Sequence, residues 1–277
     1  MNVFVFDIET IPDVETGRRL YGHNPVEMDK LSDEEVARIM FQQRHQETDG
    51  KTEMLRHHLQ KIVAIAGVLH TDNTFKVKSL CEPDSSEKEL IQRFFDTIQR
   101  FTPVLVSWNG SGFDLPVLHY RALLHGIVAK RYWTLHGVDP EGDKFRYNNY
   151  LSRYHERHTD LMDVLASYQP SAFASLDHIA TLLGLPGKLG MSGDQVWKTY
   201  LQKGVEDIRH YCETDVLNTY LIYLRFELMR GNLSQDGYLQ ECQRLRDKLI
   251  AEDKPHFRAF LEAWQISNQP LLPPHSP

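Results

Sequence analysis

Two carboxylates one residue apart close the apolar run Val3-Phe4-Val5-Phe6, in the order Asp7-Ile8-Glu9. The run is short, continuous and rich in β-branched and aromatic residues, which predicts a buried strand over Val3 to Phe6. Side chains alternate faces along a strand, so Asp7 and Glu9 point the same way. Like charges held together at a buried strand end repel each other and lose hydration, and a divalent cation is the simplest compensation. A third carboxylate, Asp114, follows a glycine-loosened turn, Asn109-Gly-Ser-Gly-Phe113-Asp114, that leads into a helix with Pro116 in its first turn. A fourth, Asp215, lies four residues after Tyr211 in a predicted helix, so the two share a face. Singly, each group has a plain reading: solvated strand-end carboxylates, a helix cap at Asp114, an exposed helix face at Tyr211 and Asp215.

The elements that must position these residues can be read from pattern. Ile62 to Leu69 and Phe75 to Leu80 read as strands of an antiparallel hairpin turning at Asp72-Asn73. Capping boxes at Ser32/Glu35 and Ser86/Glu89 start helices running to Gln46 and about Phe101. Pro103 ends the second helix, and Val104 to Trp108 reads as another buried strand. The stretch from Ala129 to His158 is irregular, aromatic and basic. Helices are expected over Asp160 to Ser167, from a Ser175 cap to about Leu183, over Val205 to Arg230, and in the charged region to about Trp264. Gly184 to Gly193 must be a loop. Strands followed by strands alternating with helices give an α/β domain with a mixed sheet, whose ligands gather at the carboxyl ends of strands. One domain is expected over 1–265, with 12–60 a polar excursion from its core and 266–277 a disordered tail.

With 277 residues the chain can bury a large core. A net charge of −7 argues against a protein that coats duplexes with a broad basic face, though not against contact with a few phosphates near metal ions. Cys81, Cys212 and Cys242 are odd in number and lack CxxC spacing, which argues against a disulfide scaffold and for a reducing compartment. No membrane-spanning apolar stretch and no signal-peptide pattern is present, so a cytoplasmic location is expected.

Together, Phe6-Asp7-Ile8-Glu9-Thr10, Asn109-Gly-Ser-Gly-Phe113-Asp114 and Tyr211-Cys-Glu-Thr-Asp215 resemble the three exonuclease motifs of the DEDD superfamily, tyrosine variant. The nearest likeness is to stand-alone bacterial exonucleases related to the proofreading domain of family B DNA polymerases. It covers most of residues 1 to 230. The resemblance implies a ribonuclease H-like three-layer fold with a mostly five-stranded mixed sheet. It also implies release of nucleotides from 3′ ends of DNA or RNA by hydrolysis with two divalent cations, Mg²⁺ or Mn²⁺. In that scheme Asp7 bridges both ions, Glu9 and Asp215 hold the ion that activates water, Asp114 supports the second, and Tyr211 orients the water. Four carboxylates without His or Cys suit hard cations.

Weaker features keep two readings each. Asn109 contacts the terminal nucleotide or closes its turn, and Lys188 reaches a phosphate or is solvated. Phe113 and Trp108 stack a base or pack the core. Asp160 and Asp163 extend the acidic site, or Asp160 caps a helix. Two other functions compete. A binding module that keeps the fold without catalysis would be expected to have lost one of the five motif side chains. An aspartyl phosphatase would place an Asp-x-Asp where Glu9 stands.

Overall fold

The N-terminal apolar run forms the central strand, β1 (Val3–Pro12), in a computed structural model that describes residues 1–22, 28–139, 142 and 144–266. β2 (Gln60–Thr71) pairs with it antiparallel. β3 (Thr74–Ser79) returns along β2, with Thr71 opposite Thr74 across the Asp72-Asn73 turn. β4 (Val104–Ser107) and β5 (His158–Asp160) add in parallel on the other side, giving the order β3-β2-β1-β4-β5. This is a mixed five-stranded sheet in the three-layer ribonuclease H-like arrangement that the motifs imply.

Strand alternation assigns the layers. Val3 and Val5 face one side with Ala64, Ala66 and Val68, in a core shared with Cys212, Val216 and Tyr220. Those three lie on the long helix, whose range is given below. Phe4, Phe6 and Ile8 face the other side, against α3 (Glu87–Phe101) and α4 (Asp114–His125). Phe94 closes that layer, its ring centroid 4.9 Å from Phe6 and 5.8 Å from Phe4. Ahead of these come α1 (Val14–Tyr21) and α2 (Asp33–Glu47). After them come α5 (Leu161–Leu165), α6 (Leu176–Leu182), α7 (Val196–Lys203), α8 (Glu206–Met229), α9 (Gln235–Glu252) and α10 (Pro255–Ile266). None of the described helices is long and apolar enough to cross a membrane.

Both capping boxes form, at Ser32/Glu35 and Ser86/Glu89, and Ser175 Oγ accepts from the His178 amide as a cap should. Four expectations need correction. β1 runs on to Pro12 instead of ending at Phe6, because β2 pairs along its whole length, and Asp7 and Glu9 therefore lie within the strand. The last strand of the sheet replaces the start of the helix expected at Asp160, since β4 leaves an edge on which His158–Asp160 pairs. Helix α7 was not foreseen; its buried Val196 and half-buried Trp197 and Tyr200 gain their apolar role from packing beside the sheet. The 12–60 excursion carries a small apolar cluster of its own, Met28, Val36, Met40, Leu55 and Leu59. Beyond Ile266, the tail expected over 266–277 falls outside the described residues.

Candidate active site

Asp7 and Glu9 share the odd-numbered face of β1 with Val3 and Val5, and that face looks toward α8. Tyr211 and Asp215 stand on α8, one turn apart, both buried. The β1–β2 register shifts between Glu9 and Thr10, a bulge of the kind that re-aims side chains beside functional sites. Asp114 comes from the opposite layer. β4 pairs with β1 only as far as Val5, so beyond that point one edge of β1 is open. The Ile8 amide donates across this edge to Asp114 Oδ1 at 3.1 Å. Asp114 is the first residue of α4, and the cap position itself falls to Phe113.

The four carboxylates feel one another. Burial, then the charges of Asp114 and Asp215, push Asp7 well above the usual carboxylate range. Burial and the charges of Asp7, Asp215 and Asp114 do the same to Glu9. Burial pushes Asp114 up to about 7 and Asp215 up to about 6, the latter held down somewhat by the facing Tyr211 hydroxyl and by Lys188. Burial and the neighbouring carboxylates push the Tyr211 hydroxyl upward, so it stays protonated. Asp215 Oδ1 is buried without a hydrogen-bond partner. A crowded set of oxygens, one of them orphaned, is the chemistry that a hard divalent cation satisfies.

The turn before Asp114 is pinned from two sides. Asp160 accepts from the Asn109 and Ser111 amides, each at 2.9 Å, and makes no helix-capping bond. Its carboxylate holds the loop; its charge also reaches Asp114, and it stands at the N-cap position of α5 without a capping bond. His57 Nε2 lies 2.8 Å from the Gly112 carbonyl oxygen. Asn109 adopts left-handed backbone angles (φ 63°), and a Cβ at Gly112 would lie only 2.4 Å from Asn109 Oδ1. Asn109 thus closes the turn while its own flank borders a cleft of about 650 Å³.

Phe113 is half-buried against the α3–α4 core, its ring 5.7 Å from that of His57. Trp108 packs against the α8 core. Asp163 does not join the carboxylate cluster; it pairs with Arg153 at 2.8 Å. Glu213, inside the third motif, also turns away. Despite its burial, His256, Lys254 and the Ser79 amide hold it down to about 2, fastening α10 to β3.

Residues 52–264 match the family described as predicted 3′-5′ exonuclease related to the exonuclease domain of PolB. The chain belongs to this exonuclease family. Among curated proteins, it is 48% identical over 44 residues to DNA polymerase 1 of Sulfurisphaera ohwakuensis, covering 16% of this chain and 5% of that one. It is 28% identical over 155 residues to a DNA polymerase of Pyrococcus glycovorans, 54% of this chain and 20% of that one. With the catalytic polypeptide of DNA polymerase epsilon from Dictyostelium discoideum it shares 26% over 151 residues, 52% of this chain and 6% of that one. A solved family B DNA polymerase from Pyrobaculum calidifontis aligns with a TM-score of 0.48 at 19% identity, over 83% of this chain and 24% of that one. The chain thus spans a quarter or less of each of these polymerases. The kinship read from the three motifs holds.

Several residues around the candidate site escaped the sequence reading. Asp160 and His57 act on backbone groups about fifty positions away, and no local pattern marks them. Asn218, one turn beyond Asp215, accepts from the Gly187 amide at 3.1 Å and donates to the Gly187 carbonyl at 2.9 Å. Asp177 accepts from the Lys188 amide at 2.8 Å. These bonds seat the 184–193 loop so that the Lys188 ammonium, though exposed, lowers the pKa of Asp7, Glu9 and Asp215. A polar Asn in the buried stripe of α8 was the available signal.

Proposed function

We propose that this chain is a metal-dependent 3′–5′ exonuclease acting on single-stranded or frayed nucleic-acid ends, with residues 1–265 as one catalytic domain. The observation that carries this reading is the convergence of Asp7, Glu9, Asp114 and Asp215 with Tyr211, from both layers and the central strand, around oxygens that burial leaves under-satisfied. Two divalent cations, Mg²⁺ or Mn²⁺, would be held by these four carboxylates and would supply an activated water and a neutralised leaving oxygen.

The chain's own groups do the rest. The Tyr211 hydroxyl would orient the attacking water. Lys188 offsets part of the cluster's charge and would meet a phosphate oxygen. The cleft beside Asn109 is walled by Trp133, which is 51% exposed, by Phe173 and by Arg153. Rings and one guanidinium suit unpaired bases, which stack on aromatic faces without regard to sequence. The net charge of −7 leaves little basic surface for tracking a duplex.

The test uses 5′-labelled single-stranded DNA and RNA with Mg²⁺ or Mn²⁺, alongside Asp7→Ala. A ladder of one-nucleotide steps that disappears in Asp7→Ala is expected. Circular single strands cut as fast as linear ones would mean an endonuclease, and binding without hydrolysis under either ion would mean a binding module. Activity of Asp7→Ala within about tenfold of the natural sequence would remove the metal mechanism.

A further inference from the structure

Cys212 sits between Tyr211 and Asp215, and nothing in the hydrolytic scheme uses it. Its side chain is fully buried, and its Sγ lies 3.4 Å from the Asp7 carbonyl oxygen and 3.4 Å from Asp7 Oδ2. Donor atoms of Asp7, Glu9 and Cys212 all fall within 4.8 Å of one another. Asp215, whose Oδ1 is buried and unpartnered, stands about one turn along α8 from Cys212. The thiol donates weakly to both of these Asp7 oxygens. A sulfur added to a cluster of hard oxygens changes which metal the cluster prefers.

The donor types indicate which. A tetrahedral ion with bonds of roughly 2.3 Å to sulfur and 2.1 Å to oxygen separates those two ligands by about 3.6 Å. At the observed Sγ to Oδ2 distance of 3.4 Å the thiol donates to the carboxylate, and a cation would take the place of that proton. Sulfur and carboxylate together favour zinc-class ions, which also stand above Mn²⁺ in intrinsic affinity.

We propose that Asp7, Glu9 and Cys212 form a site for a thiophilic divalent cation of the Zn²⁺ or Cd²⁺ class, with the Cys212 sulfur as a ligand, and that filling it switches the nuclease off. On binding, the thiol proton leaves to solvent and a sulfur lone pair forms the bond to the metal, with no change of oxidation state. Asp7 is then committed to a sulfur-bound ion and is lost to the hard-ion arrangement. The metal site stands by itself; the switch rests on the exonuclease reading.

The test titrates the metal-free full chain with Cd²⁺, without nucleic acid, and reads the ultraviolet thiolate-to-metal charge-transfer band. A saturable band at one equivalent is expected, present in Cys81→Ser and Cys242→Ser and absent in Cys212→Ala, with circular dichroism showing that each variant is folded. Asp7→Asn, which keeps the sulfur, is expected to weaken the apparent affinity at least about tenfold. No band in the natural sequence, or a band that survives in folded Cys212→Ala, overturns the site. In a second arm, Zn²⁺ is added to Mg²⁺-supported hydrolysis of single-stranded DNA. Half-inhibition at about tenfold or more higher Zn²⁺ in Cys212→Ala supports the switch, and equal inhibition overturns it. Absence of hydrolysis with either Mg²⁺ or Mn²⁺ defeats the exonuclease reading and the switch together, while the band decides the metal site separately.

Discussion

Asp114 accepts the Ile8 amide while burial pushes its carboxyl up to about 7, two backbone hydrogen bonds pulling the other way and Asp160 adding to the rise. In the unfolded chain the same group ionises near an ordinary pKa of about 3.9. Its favourable contribution is therefore fully present below about pH 4 and is lost as the pH rises through 7. Asp114→Asn keeps an oxygen for Ile8 and removes the charge. At pH 8, without metal, this variant is expected to gain stability on the order of 1 kcal/mol, with little change at pH 4. Equal shifts in thermal melts at both pH values would exclude repulsion as the cause. Tyr211→Phe is expected to slow the chemical step by roughly 10-fold to 100-fold or more with little change in binding, because the ring still packs and the four carboxylates remain. An unchanged single-turnover rate would reduce Tyr211 to packing. Asp7, Glu9, Asp114, Tyr211 and Asp215 were readable because each falls in a short spaced motif. Asp160, His57 and Asn218 were not, because their partners are backbone groups of distant loops.

The loop over residues 184–193 shows what an element contributes beyond its residues. Its glycines supply the turns, but both backbone groups of Gly187 are bonded to the side chain of Asn218 on α8. Asn218→Ala leaves buried loop groups unpaired, at a cost of about 1–3 kcal/mol. The expected result is faster proteolysis within 184–193 and a KM for single strands that rises more than kcat falls, as Lys188 drifts from the site. A loop that stays protease-resistant in this variant would show that Asp177 suffices. Helices with local start signals, α2, α3 and α6, could be read to within a residue of their caps, because a capping box is decided by neighbours in sequence. The strand His158–Asp160 and helix α7 could not, since the open edge of β4 and the flank of the sheet decide them.

Across the whole molecule, one buried ionic network ties the layers together. Arg121 of α4 donates to Glu87 at 2.7 and 2.6 Å and pairs with Asp13, just past the end of β1, while Glu87 also accepts the Ile62 amide of β2 at 2.7 Å. Arg121→Ala strands two buried carboxylates and is expected to cost about 3–5 kcal/mol. The check is a lower denaturant midpoint with an unchanged slope; a loss below about 1 kcal/mol would mean water has replaced the guanidinium. The α/β class followed from alternating strands and helices. The site depended on where β4 stops pairing with β1, a register that no composition or periodicity encodes. That early stop gives the Ile8 amide a carboxylate where a neighbouring strand would otherwise sit. Its proton resonance should therefore act as a built-in gauge of the charge on Asp114, moving when pH or a bound cation alters that charge. An Ile8 signal that stays fixed across pH 5 to 8 and through a Mg²⁺ titration, while other signals move, would show that Asp114 takes no part in either event.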